Sequence, residues 1–342
     1  GAAMPETRDA FAGRLGELGL LAASLGGACA GRGSLVLLSG EPGIGKTRTA
    51  VELAVRAEGE GAQVLWGRCH EEAGAPPYWP WSQVLRDLIA ALDEDALAAD
   101  LGAGAPDIAE VIPELRARLP GVGPPTPTQD PAEARFRLFA SLARFLLAAS
   151  RRRPRVVVLD DLHWADAPSL RFLRFIAPDL GGSGLLLLGT YRENELSRRH
   201  PLSDALGDLT RSRRTSRLLH AETTQPEARD LVSMAAGTAP APWLVHAIHA
   251  QTEGNPLFLR EIVRYLRERG LLTAVADAPR RGLPEALRIP EGVREVIGQR
   301  LTLLPPACNE VLRTASVIGR QFSLDVLLRA AGVHAPNGWV FT

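Results

Sequence analysis

The sequence has 342 residues, which is enough for two or three domains with buried cores. Hydrophobic residues make up 46% of it and charged residues 23%, which excludes a disordered or collagen-like chain. Lysine plus arginine equals aspartate plus glutamate at 39 each, so no global charge draws the chain to nucleic acid or to an anionic membrane. No apolar run reaches the length of about 18 residues that a membrane-spanning helix requires.

The spacing of the cysteines and the scarcity of lysine lead to two expectations. Cys29, Cys69 and Cys308 lie far apart without a C-x-x-C spacing, which favours a reducing compartment such as the cytoplasm. Of the 39 basic residues, 38 are arginine and one, Lys46, is lysine. Because a compact ammonium and a planar guanidinium are not interchangeable, we expect Lys46 at a position where arginine cannot substitute.

Strand and helix patterns alternate over roughly the first 220 residues. After a helix and its turn at 18–31, apolar runs predict buried strands at 34–38, 63–66, 155–159, 185–188 and 217–219. Helices are expected at 46–58, 84–92, near 108–119, 131–150 and 169–176, with a Pro/aromatic loop at 76–81. Asp130 and Pro131 give a strong start to the fourth of these helices. The alternation predicts a parallel sheet with helices on both faces.

Strand runs stop after about residue 221, and helical patterns follow. They cover residues 226–236, 242–251, 256–269, 292–303, 306–317 and 324–331. We expect an α/β core followed by two helical modules, with a joint near the Pro/Arg-rich residues 278–290.

Residues 40–47 read Gly-Glu-Pro-Gly-Ile-Gly-Lys-Thr and match the phosphate-loop pattern G-x-x-x-x-G-K-[ST]. The pattern follows an apolar strand and opens a helix, and its glycines let successive backbone N–H groups face one anion. Lys46 would reach the β- and γ-phosphates and Thr47 would bind Mg²⁺; the alternative is a simple Gly-rich turn. We assign nucleotide binding to Glu41, Pro42, Gly43, Ile44, Gly45, Lys46, Thr47 and Arg48.

Two acidic residues end the strand at 155–159, and at the carboxyl edge of a parallel sheet they would face the phosphate loop. Asp160 is the expected Mg²⁺ residue, through a bound water, and Asp161 would polarise the attacking water. Adjacent acids also serve as turn caps, which is the alternative. Arg192, beyond the next strand, could stabilise transition-state charge together with Lys46, or could be a surface arginine in a charged loop.

Three weaker signals are interpreted structurally. The basic cluster at 210–217 is expected to be a solvated face, with a nucleic-acid or partner surface as the alternative. The aromatic residues at 78–81 are expected to pack on the core rather than to form a docking patch. His246 and His249 have the spacing of a metal pair, but no third ligand is near them in the sequence.

Four ordered motifs, at residues 11–18, 40–47, 157–164 and 254–258, together resemble the STAND class of P-loop ATPases. Within that class the sequence is most similar to ATP-binding LuxR-type regulators and to the ATPase modules of bacterial cyclases. The resemblance implies a five-stranded P-loop ATPase sheet at 5–220, a helical lid at 221–277 and a winged-helix-type domain at 285–335. The pattern at 324–331 runs close to the end of the sequence, so we expect this last domain to be truncated.

The resemblance also implies a ligand and a role. Phe11, Gly13 and Arg14 match the segment that lies against adenine, and Pro256 matches the lid residue that closes over the same base. ATP or ADP with Mg²⁺ is therefore expected. Where Asp161 stands, many related ATPases carry glutamate, so we expect slow turnover.

The expected function is a nucleotide-operated switch for transcription regulation or signal transduction. It would regulate an output domain outside this chain, a transcriptional regulator or a nucleotide cyclase, and nucleotide-dependent homo-oligomers are compatible with it. No membrane contact and no direct binding of nucleic acid by these residues are expected. The alternatives are a DNA-handling ATPase similar to origin-recognition proteins and a non-hydrolysing scaffold that keeps bound ADP.

Overall fold

The computed structural model describes residues 15–71, 76–197, 200–220, 222–237, 239–268, 301, 306–318 and 327. Within them, five strands form one sheet in the order β2-β3-β4-β1-β5, and every neighbouring pair is parallel. The strands are β1 Ser34–Ser39, β2 Gln63–Arg68, β3 Arg155–Asp160, β4 Leu185–Tyr191 and β5 Thr215–Leu219. The predicted five-stranded parallel sheet is therefore confirmed.

The helices of the sheet domain connect these strands. They are α1 Leu15–Cys29, α2 Lys46–Gly59, α3 Trp79–Ala91, α4 Glu94–Leu101, α5 Ala105–Ile108, α6 Leu115–Arg118, α7 Pro131–Arg152, α8 Ala167–Ile176 and α9 Pro201–Leu209. The single helix expected near 108–119 is wrong, because α5 and α6 are separate four-residue turns. Helices α4 and α9 were not predicted from the sequence.

The sheet is buried on both faces by alternating side chains of the same strands. Leu35 and Leu37 of β1 point to the face covered by α3, α7, α8 and α9, and Val36 and Leu38 point to the face covered by α1 and α2. Because both faces are covered, β1, β3 and β4 have continuous apolar sequences. Such a sheet presents its polar chemistry at the carboxyl ends of its strands.

Tyr78 and Trp81 pack onto the core, as predicted for the aromatic residues at 78–81. Trp81 is fully buried, stacks edge-on against Phe172 with ring centroids 4.7 Å apart, and donates its indole N–H to the Ser169 carbonyl at 3.1 Å. The loop expected over 76–81 is wrong at its end, since α3 already begins at Trp79. Pro80 fits there because the first turn of a helix does not require its backbone N–H.

Three helices follow β5 and share a small core of their own. They are α10 Gln225–Ala236, α11 Pro242–Thr252 and α12 Pro256–Glu268, with Val232, Ile248 and Leu259 among their buried residues. A further helix, α13, covers Pro306–Ile318. The helices expected at 292–303 and 324–331 lie outside the described residues, apart from Leu301 and Leu327. None of the described helices combines the length and the apolar character needed to cross a membrane.

Candidate functional site

The loop between β1 and α2 is shaped by glycine. Gly43 and Gly45 have φ angles of 78° and 99°, a region that residues with a Cβ rarely adopt. A Cβ on Gly43 would also lie 3.2 Å from Cδ2 of Leu257 in α12. The loop thus needs glycine for its own curvature and for the close approach of a later helix. Its backbone leads into the N-terminus of α2, where N–H groups without helical partners favour an anion.

Lys46, at the first position of α2, lies inside this loop. Only 6% of the residue is exposed, and its Nζ donates hydrogen bonds of 2.8 Å to the carbonyl oxygens of Gly40 and Glu41. Burial, and then the nearby Arg192, lower the pKa of Lys46 to about 8. The ammonium therefore remains mostly charged at neutral pH and is held at the centre of the loop.

His220 supports the loop from behind. It follows β5, is 3% exposed, and its Nε2 lies 2.8 Å from Oγ1 of Thr49 in α2. Its backbone N–H donates to the Ser39 carbonyl at 2.7 Å, and its Cβ would be 3.0 Å from a Cβ on Gly40. The end of the edge strand thereby fixes both sides of the loop.

Two hydroxyl groups meet the carboxylate of Asp160 at the end of β3. Oγ1 of Thr47 donates to it, at 3.2 Å from Oδ1 and 3.3 Å from Oδ2, and Oγ1 of Thr190 donates to Oδ1 at 2.5 Å. Asp160 is 5% exposed. A carboxylate beside a hydroxyl is the hard-oxygen donor set that Mg²⁺ prefers, so Thr47 and Asp160 fit the metal assigned to them from the sequence.

Asp161 turns the chain immediately after β3. It has a left-handed backbone with φ of 59°, and its N–H donates to Oγ1 of Thr190 at 2.9 Å. Burial, and then the neighbouring charge of Asp160, raise the pKa of the Asp161 carboxyl to about 6. A carboxylate with such a pKa is a suitable acceptor for a proton of water near neutral pH.

Arg192 reaches the same cleft from the segment after β4. Its Nη1 lies 2.6 Å from Oε1 of Glu195, and its guanidinium carbon lies 4.9 Å from the ring centroid of Trp164. Arg192 lines the cleft together with Lys46 and Asp161. It is therefore partly buried between the indole of Trp164 and a carboxylate of the charged loop that the alternative interpretation named.

The helices after β5 form the other wall of the cleft. Asn255 caps α12, because its Oδ1 accepts the N–H of Leu257 at 3.0 Å, and its Nδ2 lies 3.5 Å from the Pro42 carbonyl oxygen. Two walls from different parts of the chain thus enclose a cavity of about 290 Å³. Its lining residues after β5 are Thr223, Leu231, Pro256, Leu257 and Arg260.

Most residues selected from the sequence line this cavity. They are Pro42, Gly43, Ile44, Gly45, Lys46, Thr47, Arg48, Asp161, Arg192 and Pro256. Glu41 and Asp160 are not among them. The carbonyl of Glu41 instead accepts from Lys46, and the carboxylate of Asp160 accepts from Thr47. Phe11, Gly13 and Arg14 lie outside the described residues.

Sequence reasoning did not assign Thr223, Leu231, Leu257 or Arg260. The helical period offered one signal, since Arg260 is four residues after Pro256 and therefore on the same face of α12.

The two histidines of α11 have protein partners. Nδ1 of His246 lies 3.1 Å from Nε2 of Gln225, and Nε2 of His249 lies 2.7 Å from the Thr223 carbonyl oxygen. Across the described ranges, no group of three or more potential metal ligands of the histidine, cysteine or carboxylate type is found. Both histidines thus contact polar groups of the protein.

No residue of the basic cluster at 210–217 lines the cavity beside the phosphate loop. Arg211 is 80% exposed, and Arg217 on β5 pairs with Glu193 at 2.7 Å. This matches the solvated face that the sequence predicted.

Comparison with known proteins agrees with the geometry. Residues 10–188 match the AAA ATPase domain family, and residues 224–281 match a domain of unknown function, DUF8739. An uncharacterized protein of Rhizobium meliloti (strain 1021) is 26% identical over 338 residues. That alignment covers 92% of this chain, which spans only 30% of the length of the relative.

Solved structures show a similar architecture at low identity. Drosophila ORC bound to DNA is similar over 97% of this chain and 77% of its own, with a TM-score of 0.50 and 14% identity. Cdc6p of Pyrobaculum aerophilum has a TM-score of 0.48 and 15% identity over 96% of this chain and 81% of its own. RuvB of Thermotoga maritima has a TM-score of 0.41 and 16% identity over 95% of this chain and 83% of its own. At such identities the likeness to ORC concerns the fold alone.

The family match spans more than half of the chain and includes both the phosphate loop and the acidic end of β3. The chain belongs to the AAA ATPase domain family.

Proposed function

We propose that this chain is a STAND-type switch module that binds Mg-ATP, hydrolyses it slowly and thereby regulates an attached output domain. Membership of the AAA ATPase domain family implies nucleotide binding. The observation that carries the finer proposal is that Lys46, Asp161 and Arg192 line one cavity whose opposite wall is Pro256 and Leu257. A ligand in that cavity would contact both the sheet domain and the helices that follow it.

The chemistry at the core wall follows from charge and position. ATP would supply a γ-phosphoryl group whose transfer spreads negative charge over its oxygens. Lys46 and Arg192 would stabilise that charge, and Thr47 and Asp160 would hold Mg²⁺. Asp161 would orient the attacking water and accept its proton. Its carboxylate is one methylene shorter than glutamate, which supports the slow turnover that a switch requires.

The helices after β5 would act as the lid. Gly43 and Asn255 make close contacts between the loop and α12, so the position of the lid depends on the shape of the loop. We place the nucleotide-binding domain at 5–220, the lid at 221–277 and a winged-helix-type domain at 285–335. Phe11, Gly13 and Arg14 would face the adenine, opposite Pro256.

The output remains part of the proposal. The chain spans 30% of the length of its curated relative, so such proteins have room for further domains. A transcriptional regulator or a nucleotide cyclase is the proposed output, with nucleotide-dependent homo-oligomers as the means of signalling. Dispersed cysteines fit a role in the cytoplasm.

The test combines native mass spectrometry with a phosphate-release assay on the purified chain, with and without ATP. Lys46→Ala should lose bound nucleotide and phosphate release. Arg56→Ala is the matched control, because it removes one positive charge from the exposed side of the same helix, where the side chain is 57% exposed. Nucleotide binding by Lys46→Ala equal to that of the parent would contradict the proposal.

The same experiment tests the scaffold alternative, and a gel shift tests the DNA-handling alternative. A non-hydrolysing scaffold predicts co-purified ADP and no phosphate release above Lys46→Ala. A DNA-handling ATPase predicts a salt-sensitive gel shift by this chain alone. Drosophila ORC is bound to DNA in its structure. The zero net charge of this chain and the pairing of Arg217 with Glu193 favour the switch.

A further inference from the structure

A buried histidine adjoins the cavity without lining it. The side chain of His163 is 1% exposed, and neither ring nitrogen makes a hydrogen bond to any residue in the described part of the chain. Leaving a buried donor or acceptor unpaired destabilises the folded state, so such a residue calls for a reason other than packing.

Nε2 of His163 faces two carboxylates. It lies 3.4 Å from Oε2 of Glu195 and 3.8 Å from Oδ1 of Asp161. Glu195 is the partner of Arg192, and the imidazole ring contacts Trp164, over which Arg192 is stacked. His163 therefore stands between the residue proposed to orient water and the arginine proposed to stabilise the phosphoryl group.

The charge state of the ring is set by its surroundings. Burial, and then the positive charges of Arg192 and Lys46, lower the pKa of His163 to about 3, so the imidazole is neutral. A neutral imidazole carries one N–H and one lone pair. With two carboxylates on the Nε2 side, the proton belongs on Nε2, because a lone pair there would be repelled by both.

We propose that His163 is a positioning residue whose Nε2–H attracts the carboxylates of Asp161 and Glu195 electrostatically, across 3.8 Å and 3.4 Å, and thereby links Asp161 to the Glu195–Arg192 pair. This inference rests on the proposed function and deepens it. Both carboxylates face the same N–H. If Arg192 moved away from Glu195, the carboxylate of Glu195 would attract this N–H more strongly, and the attraction between His163 and Asp161 would change. The orientation of the water and the stabilisation of charge thereby become coupled.

Two substitutions distinguish this role from packing. His163→Phe keeps a ring against Trp164 but removes the N–H, and His163→Gln places an amide N–H near the position of Nε2. We expect His163→Phe to lower kcat by about tenfold or more at an ATP affinity within about twofold of the parent. His163→Gln should stay within about threefold of the parent. Because neither ring nitrogen of His163 makes a hydrogen bond, neither change removes one, and the melting temperature should stay close to that of the parent.

A double-mutant cycle tests whether His163 acts through Asp161. The rate of phosphate release is measured under single-turnover conditions. In the Asp161→Asn background, adding His163→Phe should lower this rate by less than about twofold relative to Asp161→Asn alone. Two results would overturn the inference and leave the switch proposal intact. One is a double variant whose loss of rate equals the product of the two single losses, and the other is a His163→Phe protein as active as the parent.

A measurement without added nucleotide completes the test. In ¹⁵N-histidine NMR, with the His163 signals identified by their loss in His163→Gln, we expect a neutral ring protonated at Nε2 and a change at Nε2 on Asp161→Asn. A proton on Nδ1 would overturn the inference. This readout decides it even if His163→Phe does not fold. If the parent releases no more phosphate than Lys46→Ala, the proposed function fails instead.

Discussion

The hydroxyl oxygen of Thr190 lies 2.5 Å from Oδ1 of Asp160, and both residues are buried. The same hydroxyl accepts the backbone N–H of Asp161 at 2.9 Å. One side chain at the end of β4 therefore fixes a carboxylate at the end of β3 and the backbone of the acidic residue that follows it.

Thr190→Val keeps the side-chain shape and removes both hydrogen bonds. We expect ATP turnover to fall by about tenfold or more and the free energy of unfolding by about 1–3 kcal/mol, because a carboxylate oxygen and an N–H lose their partner. Phosphate release and thermal unfolding measure the two effects. Thr190→Ser retains the hydroxyl and is the control; equal turnover in the valine and serine variants would show that the hydroxyl is not needed.

The two acidic residues should have separable roles. Asp160→Asn removes a charge from the proposed Mg²⁺ site, so Mg-ATP affinity and turnover should both fall. Asp161→Asn should preserve Mg-ATP affinity but lower turnover by roughly 10²-fold or more, the usual scale for a positioned base. Calorimetry with Mg-ATP and a phosphate assay separate the two. Turnover in Asp161→Asn equal to that of the parent would assign the water to another residue.

Asp161 should also reduce stability near neutral pH. Burial raises its folded-state pKa from 3.8 to about 6, so the folded protein binds the proton more tightly than the unfolded chain does. The contribution of Asp161 to stability is therefore most favourable below pH 3.8. It falls as the pH rises from 3.8 to about 6, and above about pH 6 the destabilisation is complete.

Asp161→Asn removes that cost. We expect the variant to be more stable than the parent by about 1–2 kcal/mol at neutral pH, a figure reduced for the partial exposure of the side chain. The difference should shrink as the pH falls toward about 4. Thermal unfolding of both proteins across this range measures it, and a difference that does not vary with pH would contradict the assigned cause.

Lys46→Arg tests whether the loop accepts a wider cation. A guanidinium aims its fork at one pair of oxygens and does not fit between backbone carbonyls that lie 2.8 Å from Nζ. We expect a loss of ATP affinity of about tenfold or more, equivalent to roughly 1.4 kcal/mol, with the fold intact by circular dichroism. Unchanged affinity by calorimetry would contradict the assignment of the phosphate loop.

Gly43→Ala tests the contact between the loop and the lid. The new Cβ would meet Leu257 at 3.2 Å and would also be strained by the φ angle of 78°. Gly61→Ala is the matched control, because Gly61 has a similar φ of 84° and open space around it. Both variants should lose stability through strain, but Gly43→Ala alone should lose ATP affinity, by about tenfold. Equal affinities by calorimetry would show that loop and lid are not coupled there.

The strands β1, β3 and β4 could be predicted because they are buried on both faces. Residues 35–38, 156–159 and 185–188 are apolar without interruption, and such runs identify parallel strands. Helix α4 was missed although Asp93 caps it by accepting the N–H of Ala96, because Leu97 and Leu101 are its only large apolar residues. Helix α9 was missed despite its buried Leu202, Leu206 and Leu209, because Gly207 lowers its helix propensity.

The site was predictable only where one segment supplies it. The phosphate loop and the acidic end of β3 are local patterns, and both lie at the cavity. Arg260 and Leu257 belong to the site because α12 folds back onto Gly43, a contact between residues more than 200 positions apart. The surroundings of His163 likewise depend on Glu195, which follows the next strand. Such contacts between distant residues cannot be predicted from the hydrophobic period of a single segment.

The hydrogen bonds of Lys46 have a consequence for the shape of its loop. An ammonium has three protons. Two of them are directed at the carbonyls of Gly40 and Glu41, which leaves one for a phosphate oxygen. The ammonium of Lys46 therefore stabilises the curved backbone of the loop and would also bind the ligand, so the shape of the loop and the binding of phosphate depend on the same group. A flat guanidinium cannot divide itself among three acceptors on a curved backbone, which gives a chain with 38 arginines a reason to keep one lysine.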